Sequence, residues 1–237
     1  MSFVEHLLDL VVYLFFSKSS ITVFCEINLS SFIMWECVIN SNLGALKKML
    51  KCGVDPNITD ENGEPLIFTI IVNGDLELLK MLLVYCDVNI ENKDGRSALM
   101  LAIEMDDVEM IKALIKAGAR VNKSDNSGKT PLLLALEEGK FRIAEYLIKH
   151  GSDVNEMDCL GQTALHLVAM GEHNDCTKIV KILFHCGYVM KEADKWICLE
   201  DLIGNKRLQS KDAKLLHKIK TFWKSFVREY NVIPRES

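Results

Sequence analysis

The chain has little proline and glycine for its length, 4 and 13 in 237 residues. That excludes long flexible or polyproline linkers. It has no C-x-x-C: Cys25, Cys37, Cys52, Cys86, Cys159, Cys176, Cys186 and Cys198 do not pair by spacing. Free thiols at such density fit a reducing, intracellular compartment. It has no glycine-rich phosphate loop, no G-x-S-x-G and no H-E-x-x-H, and without these no catalytic chemistry is expected of it. A long hydrophobic run is also missing. The best candidate, Leu7 to Phe16, contains Asp9 and falls short of the roughly 20 apolar residues a bilayer requires. Net charge is −5, too mild to suggest nucleic acid.

What the chain does have is apolar content. It is 49% hydrophobic, with a mean hydropathy of +0.12, as a packed protein should be. Its charge is uneven. Residues 191–237 carry 11 Lys and Arg against 7 Asp and Glu, which leaves 17 against 26 for residues 1–190. A mildly acidic body therefore precedes a basic tail.

Four asparagines, Asn57, Asn89, Asn122 and Asn155, recur at steps of 32, 33 and 33 residues. Each closes a similar string: Gly53-Val-Asp-Pro-Asn57, Cys86-Asp-Val-Asn89, Gly118-Ala-Arg-Val-Asn122 and Gly151-Ser-Asp-Val-Asn155. A fixed period of this size marks a repeat array, whose units stack into one extended surface.

The clearest unit runs from Asp125 to Asn155. Asp125 to Gly128 is a turn signal, with positive φ open to Gly128. Thr130 and Pro131 start a helix: the threonine oxygen can accept from free N–H groups, and proline's missing N–H costs nothing there. Leu132, Ala135 and Leu136 are placed on one face of that helix. Gly139 turns the chain into a second helix that buries Ile143, Ala144, Leu147 and Ile148, and Gly151 ends it in the left-handed conformation. Helices this short are marginal alone, since isolated ones below roughly 12–15 residues barely form. Each pair must therefore stack on its neighbours.

These strings resemble the ankyrin repeat, with its Gly-x-Thr-Pro-Leu-His-x-Ala core and Gly-Ala-Asp-Val-Asn loop. The likeness is strong in Gly128-Lys-Thr-Pro-Leu132 and Gly161-Gln-Thr-Ala-Leu-His166. It is good in Gly95-Arg-Ser-Ala-Leu-Met-Leu-Ala102 and looser in Gly63-Glu-Pro-Leu-Ile-Phe68. A degenerate first unit is marked by Leu46, Met49, Leu50 and Gly53. The resemblance implies an all-α solenoid of helix–turn–helix units with short hairpin loops. We read residues 32–190 as the array, with units at about 32–57, 58–90, 91–122, 123–155 and 156–188. Residues 1–31 and 191–237 flank it.

Departures from the pattern carry expectations. The second unit is one residue short near Tyr85-Cys86, so its turn should be tightened. The fifth has extra residues, Gly171 to Asn174. The family's histidine appears only at His166, as a satisfied helix-start residue, while Phe68, Met100 and Leu133 replace it with apolar packing. His173, Cys176, His185 and Cys186 are of metal-binding types, but His185 and Cys186 are adjacent and must diverge at a helix end. Zinc needs four convergent ligands, so neither a metal nor another cofactor is expected.

The two ends read differently. Residues 1–31 are an apolar segment that folds onto the first unit, or alternatively a signal or anchor, and Ile21 to Cys25 form a β-branched patch that reads as strand or extended connector. Near the C-terminus, Leu215, Leu216, Ile219, Phe222, Trp223, Phe226, Val227 and Tyr230 recur at helical spacing among lysines. This reads as a helical cap on the array, because an end unit exposes an apolar face. The other reading is a basic amphipathic helix for calmodulin or an anionic membrane surface.

The resemblance implies a non-catalytic scaffold or adaptor, monomeric and cytoplasmic or nuclear, that binds a protein partner through its concave surface. A substrate-recognition subunit of a ubiquitin ligase is the alternative. By motif position the contact residues are Glu61, Asn62, Glu64, Val72 and Asn73 in the second unit. In the third they are Lys93, Asp94, Arg96, Glu104 and Met105. In the fourth they are Asn126, Ser127, Lys129, Glu137 and Glu138, and in the fifth Cys159, Leu160, Gln162 and Met170. The strip is acidic until the fifth unit, where Cys159, Leu160 and Met170 make it apolar and offer the better anchor.

Overall fold

The computed structural model describes residues 23–170 and 176–189. Ten helices occur among them, in pairs: α1 (Val23–Ile39) with α2 (Leu43–Lys51), α3 (Leu66–Asn73) with α4 (Leu76–Leu82), α5 (Ala98–Glu104) with α6 (Val108–Lys116), α7 (Pro131–Glu137) with α8 (Phe141–Lys149), and α9 (Ala164–Met170) with α10 (Cys176–His185). The first helices of each pair stack on one another in chain order, α1 on α3, α3 on α5, α5 on α7 and α7 on α9. The second helices form an outer row behind them. Among the described residues there is no β-sheet. Isolated bridges join Thr59 to Pro65, Glu91 to Ser97 and Met157 to Thr163 at the necks of the hairpin loops. The architecture is the all-α solenoid that the motifs imply. The tail read as a cap, residues 191–237, lies outside the described residues, as do residues 1–22 and the extra residues 171–174 of the fifth unit.

The inner row is drier than face analysis suggests. In α7, Leu132, Leu133, Leu134, Ala135 and Leu136 are all buried, not only the three assigned to one face. The reason is that α5 and α9 press on α7 from both sides while α8 covers its back. The outer helix α8 is amphipathic in the ordinary way: Ile143, Ala144 and Leu147 are buried and Ile148 is partly so. The apolar replacements Phe68, Met100 and Leu133 are buried, as expected. One core runs unbroken from Ile33 to Tyr188.

Local chemistry fixes each start and stop. The Thr130 hydroxyl accepts from Leu133 N at 3.3 Å and Pro131 opens α7. Asn42, Asp75 and Asp107 cap α2, α4 and α6 in the same manner. Where Gly139 turns between helices with φ +69, the third unit uses Asp106 at φ +57, a residue type that tolerates the left-handed region. The second unit's outer turn is indeed tight: α4 has 7 residues where α6 has 9, and it closes through Val84 N to Met81 O and Tyr85 N to Leu82 O. One local expectation fails. Val23 to Cys25, read as strand or connector, belong to α1. Ser30, Ile33, Met34, Cys37 and Val38 are buried at helical spacing, and that periodic stripe outweighs the weak β preference of the residues before it.

The periodic asparagines clip neighbouring units together. Asn122 Oδ1 accepts from Asp153 N at 2.8 Å and its Nδ2 donates to Gly151 O at 3.0 Å. Asn89 does the same with Arg120 and Gly118, at 2.9 and 3.4 Å, and Asn155 with Val189 and Gly187, at 2.7 and 3.2 Å. Asn57 makes half the clip. It accepts from Asp87 N at 2.8 Å, but its amide turns to Asp55, because the shortened second unit lacks the loop glycine.

Candidate protein-interaction surface

The hairpin tips are built around a second periodic residue that the sequence reading noted only once. Asp60, Asn92, Asp125 and Asp158 each offer Oδ1 to backbone N–H groups two and four residues on, at 2.8 to 3.0 Å. Their spacing of 32, 33 and 33 residues was the available signal. The N–H of Glu64, with those of Asn62 and Gly63, holds the Asp60 carboxyl below the usual carboxylate range. Successive tips are then tied: Asn126 N donates to Asp94 O at 3.0 Å and Cys159 N to Ser127 O at 2.9 Å. Gly128 combines a φ of +78 with an approach so close that a Cβ would stand 2.8 Å from Cys159 N. No other residue fits there without a shift of backbone.

The residues assigned by motif position fall into three groups. Some are engaged with each other across their own unit: Arg96 forms a two-pronged ion pair with Glu104, and Lys129 pairs with Glu137 at 2.5 Å. Glu138 pairs with Lys140 at 2.7 Å. The strip is therefore less acidic in effect than its composition suggests. Others serve the scaffold. Asn126 Nδ2 donates to Lys93 O at 3.0 Å, the Lys93 stem lies over Gly63, and Glu64 accepts from Asn92 Nδ2 at 2.9 Å. The third group faces solvent: Glu61, Asn62, Asn73, Asp94, Ser127 and Cys159 are exposed, and so are Val72 at 56%, Met105 at 47% and Leu160 at 82%. Met170 ends α9, but its side chain lies outside the described residues.

Glu64, Val72, Asp94, Arg96 and Glu104 come together around a groove of about 420 Å³ between the second and third units. Phe68, Thr69 and Leu101 on α3 and α5 also line it; these were not foreseen, because nothing in a single unit distinguishes a groove-lining position from a core one. Lys140 was missed as well. It stands where other units have a capping Asp or Asn, and its ammonium reaches back to Ile103 O and Glu104 O at 2.6 and 2.7 Å, closing the end of α5. A cation at a helix C-terminus is favourably placed.

Nothing in the site suggests chemistry on a substrate. Burial pushes the thiols of Cys37 and Cys86 up to about 11, which keeps them protonated and unreactive. His166 is bound to the Thr163 hydroxyl at 2.9 Å. Among the described residues no cluster of His, Cys, Asp or Glu is suited to a metal ion. His173 and the Cys176 side chain, from the weighed cysteine–histidine group, lie outside the described residues. No described helix is long and apolar enough to cross a membrane.

A family model that describes three consecutive ankyrin repeats matches residues 34–125 and again 118–195. The chain belongs to the ankyrin-repeat family. No curated protein gives a significant match to it. The ankyrin-repeat fold is a non-catalytic scaffold that generally mediates protein–protein contacts, and this ankyrin-repeat protein carries no catalytic motif.

Proposed function

We propose that this ankyrin array is a scaffold or adaptor that grips one partner protein across its tips and inner helices. In this reading it has five repeats, the first degenerate, at the boundaries given above, and residues 191–237 cap its end. The observation that carries it is Leu160. This side chain is 82% exposed on a tip whose backbone is otherwise fixed by Asp158 and Ser127. A rigidly held, solvated leucine loses little entropy on contact and gains from burial. Val72 and Met105, at the C-terminal ends of α3 and α5, are further exposed apolar residues on the inner helices. Free thiols at Cys37, Cys52, Cys86, Cys159 and Cys186 support a reducing cytoplasmic or nuclear setting.

The test is affinity capture with the full chain, compared with Leu160→Asp and with Val72→Asp/Met105→Asp. Surface changes of this kind alter stability by only about 0.5 kcal/mol. Loss of a captured protein from both variants supports the assignment; retention in both refutes it. Truncation after residue 209 tests the cap. Melting of the fifth unit is expected, and unchanged stability would contradict it.

A further inference from the structure

The outer row has a surface of its own, where the second unit departs from the others. At the position held by Lys51, Lys116 and Lys149 in three other units, the second has Val84. Val84 is 75% exposed and its neighbour Tyr85 43%. Because α4 ends two residues earlier than α6, its C-terminal side leaves a groove of about 410 Å³ against α6. The apolar lining is Leu76, Leu83, Val84, Ala113 and Ala117. Lys80, Lys112 and Lys116 also line it; Lys80 pairs with Glu77 at 2.9 Å and Lys112 with Glu109 at 2.6 Å, so the net positive charge of the rim sits at Lys116. This is a basic rim on an array that is acidic as a whole.

We propose that this groove receives an acidic amphipathic helix from a partner protein. Apolar side chains one turn apart would rest on Leu83, Val84 and Ala113, and Asp or Glu on the flank would face Lys116. A helix fits because both walls are helices whose backbone groups are already paired. An extended peptide would find no partners for its own N–H and C=O groups, whereas a helix satisfies them internally. The α6 wall is about 13 Å long, room for two to three turns. Lys116 selects acidic flanks and disfavours basic ones. This surface lies on the outer helices, so it stands or fails independently of the tip surface.

Methyl NMR of the full chain tests it, with an alanine-based helical peptide of about 14 residues as probe. The peptide carries two leucines four apart and glutamates beside them. Its control has lysine for every glutamate. Saturable shifts at Val84, Leu83 and Ala113 are expected, with the lysine peptide binding at least about ten-fold more weakly. Val84→Lys, which installs the residue of the other units, and Lys116→Glu should each weaken binding about five-fold or more. Three results would overturn the proposal: no groove shifts at about 1 mM peptide, equal binding of the lysine peptide, or groove shifts that follow protein concentration alone, which would mean a second copy fills it.

Discussion

Removing one asparagine clip should uncouple two halves of the array. Asn122 makes two bonds across the boundary between the third and fourth units, to Asp153 N at 2.8 Å and Gly151 O at 3.0 Å. Asn57 makes one, to Asp87 N at 2.8 Å. A hydrogen bond contributes about 0.5–1.5 kcal/mol net. Both sites are exposed, so the lower half of that range applies. Asn122→Ala should then cost roughly 1–2 kcal/mol and Asn57→Ala roughly half as much. In a protein of this size, each kcal/mol lowers Tm by about 2–4 °C. The lost energy belongs to an interface between units, so the denaturation curve should also broaden as the halves begin to melt separately. Urea titration followed by circular dichroism reads both effects, and hydrogen exchange should speed up at the Asp153 amide. An Asn57→Ala loss as large as that of Asn122→Ala would refute the reasoning. So would an Asn122→Ala curve shifted but equally steep.

Leu147 is fully buried, and Leu147→Ala should cost about 2–5 kcal/mol in chemical denaturation; an unchanged midpoint would mean the helix faces are wrongly placed. Thr130→Ala removes the cap on Leu133 N and should cost about 0.5–2 kcal/mol, with Thr130→Ser restoring most of it. Hydrogen bonds from Lys178, and next Lys149, draw the Glu145 carboxyl down from 4.5 to about 2. The folded value lies below the unfolded one. Its stabilising effect is therefore complete above about pH 4.5 and fades as pH falls toward 2. Lys178→Ala should flatten that part of the stability–pH profile, read by thermal melts between these limits.

Much of the fold was legible because the repeat writes the same physics several times. The asparagines, the loop glycines and the Thr-Pro start each mark a fixed backbone need, and their shared phase revealed the units. What escaped depends on neighbours. Leu134 looked like an off-face residue in one helix and is buried because two further helices flank it. Lys140 looked like a poor helix start, and its use lies in the preceding unit, 36 and 37 residues back. Of the assigned surface residues, the exposed ones were readable from the motif. The Arg96–Glu104 and Lys129–Glu137 pairs were not, since they join a tip to the far end of the next helix, 8 residues on. No helical or strand periodicity places such residues side by side.

The proposed concave grip is tested most directly by hydrogen exchange on the intact chain, alone and with its captured partner. Slowed exchange should appear at the tips, residues 60–64, 92–96, 125–129 and 158–162, and should be greatest around Leu160. Slowing confined to the outer helices, residues 76–84 and 108–116, with the tips unchanged, would contradict the account.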